Sequence, residues 1–132
     1  TIKDLSSLGL KVMVTELDVD VLPSRGNAGI ADISRHEQGD DSLNPYTKGL
    51  PDEIQKKLTQ RYVDLFEVYL RHRKSVTRVT FWGLDDGGSW LNHYPIRGRT
   101  NYPLLIDREM KPKPAFFSLL ALGKESSNPK SP

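Results

Sequence analysis

The sequence of 132 residues predicts an α/β fold in which short parallel strands alternate with helices. Two segments rich in β-branched and apolar residues predict strands, and helical patterns precede and follow them. The resulting order is helix, strand, loop, helix, strand, loop, helix. Two parallel strands cannot close a sheet, because each would leave an edge and an apolar face uncovered. We therefore expect this chain to be part of a larger α/β assembly.

The first helix and the first strand occupy the beginning of the chain. Residues 1–8 have a helical pattern, and Gly9 stands where a helix commonly ends. Residues 11–19 predict a strand that is apolar at its start and acidic at its end. Strand alternation predicts one face with Val12, Val14, Glu16 and Asp18, and an opposite face with Met13, Thr15 and Leu17.

Glu16 is the first candidate for a catalytic group, and Asp18 lies beside it on the same predicted face. In barrels of parallel strands, the chemistry is placed at the carboxyl ends of the strands. The alternative is a strand that ends in a solvated acidic turn without a catalytic role.

A long polar loop follows this strand. Residues 20–49 are punctuated by glycine and proline, and loops of this length within a compact domain are usually functional or disordered. Because the loop leaves the carboxyl end of the strand, we expect it to cover the active-site face. His36 within it is expected to be a solvated loop histidine.

The second half of the chain repeats the helix and strand pattern. Residues 51–74 predict a helix whose core-facing stripe contains Ile54, Leu58, Tyr62, Leu65, Phe66, Tyr69 and Leu70. A second strand is predicted for residues 78–83, and a glycine-broken loop follows it. A last helix is predicted to open at residue 113 and to stop at Gly123, which leaves residues 124–132 as a flexible polar tail.

Composition excludes several classes of function. The 19 basic and 17 acidic residues nearly balance and are scattered, which gives no indication of nucleic-acid binding. The absence of cysteine excludes disulfides and thiol chemistry, and no run is long and apolar enough for a membrane span. Asp85 and Asp86 lack the ligand spacing of a cation site, so a turn is favoured over a metal. We predict neither a metal nor a cofactor.

Two tryptophans point towards a carbohydrate ligand. Trp82 lies near the end of the second predicted strand, and Trp90 lies in the polar loop after it. Indole rings offer flat apolar faces on which the C–H bonds of a sugar ring can stack. A carboxylate beside such rings is what a glycosidase requires. The alternative for both tryptophans is a place in the core.

The motifs VTELD at residues 14–18 and TFWGLDDGGSW at residues 80–90 closely resemble the C-terminal part of glycoside hydrolase family 10, the endo-β-1,4-xylanases. The helix at residues 50–72, PIRGRTNYPLL at residues 95–105 and KPAF at residues 113–116 fit the same family. The resemblance implies that the chain is the C-terminal portion, about the last two βα units, of a (β/α)₈ TIM barrel. Residues 1–123 would belong to that catalytic domain.

The resemblance also implies roles for the candidate residues. Glu16 would be the catalytic nucleophile of a retaining xylanase, on the seventh strand. Asp18 would support it through a network that includes a histidine of the sixth strand. Trp82 and Trp90 would bind xylan or xylo-oligosaccharides by walling the sugar sites on the non-reducing side of the cleaved bond.

Several parts of the family pattern have no counterpart in this sequence. The acid/base glutamate belongs to the fourth strand, so we expect an N-terminal segment of the same enzyme to supply it. This chain alone is then expected to be inactive. Leu91 stands where many relatives have a basic residue.

The resemblance implies a secreted, periplasmic or cell-surface enzyme. The alternative function is a non-catalytic carbohydrate-binding fragment that uses Trp82 and Trp90.

Overall fold

The computed structural model describes residues 1–24 and 41–127. Three α-helices, two strands and two short 3₁₀ helices lie within them. In chain order the helices and strands are α1 (Ile2–Ser7), β1 (Val12–Leu17), α2 (Asp52–Arg71), β2 (Val76–Phe81) and α3 (Pro114–Ser127), and the 3₁₀ helices are Asp41–Leu43 and Trp90–Asn92. No helix in these described parts is long and apolar enough to cross a membrane.

The two strands form a parallel sheet, as the sequence predicts. Val12 pairs with Val76, and Val14 pairs with Val79. The predicted bounds of the second strand are wrong, since β2 begins and ends two residues earlier, at Val76 and Phe81. The reason is Gly83, whose φ of +139° takes the backbone out of the extended region and turns the chain after the strand.

The predicted alternation of faces along β1 is also wrong at its end. Val14 and Leu17 were expected on opposite faces, but both pack against the same core. The strand register is irregular between these two residues, which shifts the alternation. Thr15 and Glu16 between them are exposed, so the irregularity keeps the Glu16 carboxylate out of the core.

The core forms where α2 and α3 pack on one side of the sheet. Its buried members are Leu17, Leu58, Tyr62 and Ala115. The predicted α2 stripe is confirmed for five of its seven residues, since Leu65, Phe66 and Tyr69 pack around Leu58 and Tyr62. The Tyr62 hydroxyl donates a hydrogen bond to the carbonyl of Pro103, which fixes the chain after β2 onto α2.

The last helix is longer than predicted. α3 runs through Gly123 to Ser127, so the expected stop at Gly123 is wrong. A glycine inside a helix costs only about 1 kcal/mol relative to alanine, which the flanking helix formers Lys124 and Glu125 tolerate. The remaining residues of the predicted tail, 128–132, lie outside the described part of the chain.

Candidate active site

The carboxyl ends of β1 and β2 lie side by side, and this edge of the sheet carries the predicted catalytic residue. Glu16 is the penultimate residue of β1 and is exposed. Trp82 follows β2 directly, and its backbone N–H donates to the carbonyl of Leu17 at 3.0 Å. The structure therefore brings Glu16 and Trp82 to the same end of the sheet.

Both tryptophans present their rings to the surroundings of this chain. Trp82 is 48% exposed and Trp90 is 39% exposed. Both rings are thus partly open in this chain, and their assignment to sugar binding rather than to a core stays a prediction. Exposed indoles that follow β2, beside the end of β1 that carries the Glu16 carboxylate, are the arrangement expected of a sugar-binding edge.

Asp18 contacts the second tryptophan directly. The indole Nε1 of Trp90 donates to Asp18 Oδ2 at 2.8 Å. Burial raises the pKa of the Asp18 carboxyl, the hydrogen bond from Trp90 opposes this, and the negative charges of Asp20 and Glu16 add to the rise. The sequence does not reveal this contact, because 72 residues separate the partners. The predicted link to a sixth-strand histidine concerns a residue outside this chain and stays a prediction.

Tyr94 is a site residue that sequence reasoning missed. Its ring stacks on that of Trp90, with ring centroids 5.1 Å apart and planes 17° from parallel. The backbone N–H of Tyr94 donates to the Trp90 carbonyl at 3.1 Å, as in a helical turn. The spacing of two aromatic residues four positions apart is the signal that could have found it.

Asp86 anchors the loop that carries Trp90. The favoured turn role is wrong for this residue, which is 0% exposed and forms an ion pair with Lys113 at 2.9 Å. Its second carboxylate oxygen accepts the backbone N–H of Leu104 at 2.8 Å. Burial raises the pKa of Asp86 and lowers that of Lys113, and their mutual attraction opposes both shifts. The pair is a buried structural element under the site.

Asp85 does have the predicted turn role. Its Oδ1 accepts the backbone N–H groups of Gly87 at 2.7 Å and Gly88 at 3.1 Å. Across residues 1–24 and 41–127, no three His, Cys, Asp or Glu side chains cluster as a metal site would require.

Asn92 ties the Trp90 turn to the buried pair. Its side-chain nitrogen donates to the carbonyl of Asp86 at 2.8 Å, and its oxygen accepts from the Arg108 guanidinium at 2.8 Å. The same oxygen accepts the backbone N–H of Asn101 at 2.9 Å. These bonds hold the 3₁₀ helix Trp90–Asn92 in one position relative to the sheet.

The ends of the long loop pack against the chain that follows β2. Asp20 accepts a hydrogen bond from the side chain of Asn101 at 2.8 Å, and Asn44 accepts the backbone N–H of Thr100 at 2.9 Å. Residues 25–40, including His36, lie outside the described structure. The prediction that this loop covers the active-site face stays a prediction.

The sequence of this chain matches a family model over almost its whole length. The model is described as Glycosyl hydrolase family 10, and it matches residues 1–122. This chain belongs to glycosyl hydrolase family 10. The resemblance stated from the VTELD and TFWGLDDGGSW motifs is thereby confirmed.

Similar proteins include xylanases of known sequence and structure. The endo-1,4-beta-xylanase A of Xylanibacter ruminicola is 44% identical over 122 residues, which are 92% of this chain and 33% of that protein. A GH10 endoxylanase from a sugarcane soil metagenome is 49% identical with a TM-score of 0.87, over 92% of this chain and 35% of that one. A mutant protein solved with xylotriose is 31% identical with a TM-score of 0.67, over 90% of this chain and 31% of that one.

These comparisons confirm the predicted fold class. The family 10 chain is an α/β structure that corresponds to the C-terminal portion of a (β/α)₈ TIM barrel. It spans about a third of the length of the curated relatives that it matches.

Proposed function

We propose that this chain supplies the nucleophile half of a retaining endo-1,4-β-xylanase, with Glu16 as the nucleophile. The observation that carries the proposal is one edge of the sheet that holds an exposed carboxylate and two exposed indoles. The family membership and the xylanase relatives support xylan as the substrate. Trp82 and Trp90 would then bind the xylose rings beside the cleaved bond.

The proposed mechanism uses two carboxyl groups with different roles. Retaining glycosidases hold them about 5–5.5 Å apart across the glycosidic bond. Glu16 attacks the anomeric carbon and forms a covalent glycosyl-enzyme, while the second group protonates the departing oxygen. The second group then takes a proton from water, which attacks the anomeric carbon and releases Glu16. Asp18 supports Glu16 through its hydrogen-bond network.

The second carboxyl group is proposed to come from an N-terminal segment of the same enzyme. Two features support a partner segment. The chain spans about a third of its relatives, and apolar side chains of the first strand region are uncovered, with Met13 55% exposed and Leu8 73% exposed. This chain and that segment together would form the complete enzyme. The chain alone is proposed to be inactive.

Two further features of the complete enzyme are proposed. The loop at residues 20–49 would cover the active-site face, because its described ends bond to Thr100 and Asn101 in the chain after β2. The complete enzyme would act as a secreted, periplasmic or cell-surface protein, where it can reach polymeric xylan. Detection of the enzyme in culture medium, periplasm or surface fractions would test this location.

Reconstitution tests the half-site proposal. Purified chain, the N-terminal segment and an equimolar mixture are assayed on xylan, and only the mixture is expected to release reducing sugar. The corresponding segment of the Xylanibacter ruminicola relative can replace the N-terminal segment. Strong activity of the chain alone would refute the proposal.

The nucleophile is tested in the complete enzyme with Glu16→Gln. Removing a covalent nucleophile should reduce turnover by roughly 10⁴-fold or more while xylan binding persists. The control is Glu67→Gln, which replaces an exposed glutamate on α2 away from the site and should retain full activity. Turnover that survives Glu16→Gln would show that another group attacks.

The second candidate function is a non-catalytic xylan-binding fragment, which the exposure of both indoles in this chain favours. Such a fragment would fold alone and would bind xylo-oligosaccharides without any partner. A thermal melt and tryptophan fluorescence of the isolated chain separate the two functions. A cooperative melt together with a fluorescence change on adding sugar supports the binding fragment. A chain that shows neither supports the proposal that it is the nucleophile half of a xylanase.

A further inference from the structure

Trp90 differs from Trp82 in how firmly its ring is held. Its indole edge is bonded to Asp18 at 2.8 Å, and its ring stacks on Tyr94 with centroids 5.1 Å apart. Across the described residues, no other ring stacks on Trp82, which is the more exposed of the two. Trp90 is therefore fixed before any ligand arrives, whereas Trp82 is not fixed by such contacts.

The backbone of Tyr94 is held from both directions. Its N–H donates to the Trp90 carbonyl at 3.1 Å, and its own carbonyl accepts from Nη2 of Arg99 at 3.1 Å. The Arg99 side chain is 1% exposed, and its Nη2 lies 3.9 Å from a carboxylate oxygen of Asp20. Because Asp20 follows β1, the position of Tyr94 is tied to the strand that carries Glu16.

We infer that Tyr94 is a positioning residue that decides which face of the Trp90 indole binds sugar. An indole has two flat faces, and the Tyr94 ring occupies one of them. Only the opposite face can then stack against a xylose ring. Holding the platform in advance lowers the ordering cost of binding. The inference rests on the proposed function and extends it to a residue that does not itself touch the substrate.

The experiment compares Tyr94→Leu and Tyr94→Phe in the complete enzyme. Aromatic stacking of this kind changes affinity by about threefold to tenfold, so Tyr94→Leu should raise KM by that factor with kcat within about twofold. Tyr94→Phe keeps a flat ring and should stay close to the native KM. A Tyr94→Phe variant as weak as Tyr94→Leu would overturn the inference, because the ring would then not be the cause.

A double-mutant cycle tests whether Tyr94 acts through Trp90. In a Trp90→Ala background, Tyr94→Leu should have no further effect on KM, since the platform is already absent. In a Trp82→Ala background, the effect of Tyr94→Leu should persist in full. Equal effects in both backgrounds would refute the inference. The same variants can each also carry Glu16→Gln, which prevents turnover. Their affinity for xylotriose, measured by tryptophan fluorescence, then gives the same double-mutant comparison.

The two proposals can fail separately. If the native complete enzyme neither binds nor cleaves xylan, the proposed function fails. If the native enzyme cleaves xylan and Tyr94→Leu leaves KM unchanged, only the role of Tyr94 fails. A loss of thermal stability with unchanged KM would also contradict a positioning role.

Discussion

The indole Nε1 of Trp90 donates to Asp18 Oδ2 at 2.8 Å and so connects the chain leaving β2 to the chain leaving β1. Asp18 is two residues beyond the proposed nucleophile, and Trp90 is a proposed sugar platform. The bond therefore sets the position of the platform relative to Glu16. It also links the ionisation of Asp18 to the orientation of an aromatic ring, because a charged acceptor binds an N–H more strongly than a neutral one.

Removing the N–H of Trp90 should raise the pKa of Asp18. Trp90→Phe keeps an aromatic face but deletes the donor, and this donor lowers the Asp18 pKa against the effect of burial. NMR titration of the Asp18 carboxyl in the complete enzyme measures the change. The comparison variant is Trp82→Phe, which lacks this bond and should leave the Asp18 pKa in place. Equal pKa values in native and Trp90→Phe proteins would show that the bond is not maintained in solution.

The raised pKa of Asp18 also predicts how stability depends on pH. Its folded pKa lies above its unfolded value, so the contribution of Asp18 to stability is present at low pH. That contribution is lost as the pH rises from the ordinary aspartate pKa of about 3.9 through the raised folded value. The Asp18→Asn variant has no carboxyl to ionise, so its free energy of unfolding should rise relative to that of the native enzyme as the pH passes between these two pKa values. A difference that shrinks as the pH rises would contradict the direction of the pKa shift.

Lys113→Met should strongly destabilise the complete enzyme. It leaves the fully buried Asp86 carboxylate without its cation, and breaking a buried pair in this way costs about 3–5 kcal/mol. Urea unfolding measures the loss in free energy of unfolding. The double variant Asp86→Asn with Lys113→Met should lose less than Lys113→Met alone, because no uncompensated charge remains. The exposed pair of Glu53 and Lys57 provides the control, and Lys57→Met should leave the free energy of unfolding almost unchanged, because water screens an exposed ion pair.

Gly83→Ala should destabilise the complete enzyme and disturb Trp82. A Cβ at Gly83 would lie 2.8 Å from the Cδ1 of Leu104, and φ at this position is +139°. Backbone strain of this kind costs about 1–3 kcal/mol, apart from the steric clash. Gly88→Ala is the matched control, because its nearest neighbour would be an Asp85 oxygen at 3.7 Å. Loss of stability and weaker xylotriose binding are expected for Gly83→Ala alone, and equal behaviour of the two variants would refute this account.

Much of the local structure could be read from the chain. The stripe of α2, the capping glycine after α1 and the two β-branched strands follow from periodicities that depend on neighbouring residues only. The sequence also placed Glu16 and Trp82 at strand ends. Parallel pairing then brings the carboxyl ends of β1 and β2 to one edge of the sheet.

Other features depended on contacts between distant segments. The register irregularity in β1 arises where the strand meets its partner, and local alternation therefore failed between Val14 and Leu17. Asp86 looked like a turn residue because its cation, Lys113, stands 27 residues further along the chain. The spacing of residues along the chain does not show which distant side chains form an ion pair.

The sequence by itself determined the fold class, the family and the candidate carboxylate, because these depend on local pattern and on motif order. Only the tertiary structure decided how Trp90 is held, since Asp18 lies 72 residues earlier in the chain and the Tyr94 ring meets the indole only in the folded loop. Asp18 fixes the ring edge and Tyr94 covers one ring face. A hydrogen bond and a ring stack require atoms at defined distances, and only the folded chain sets those distances.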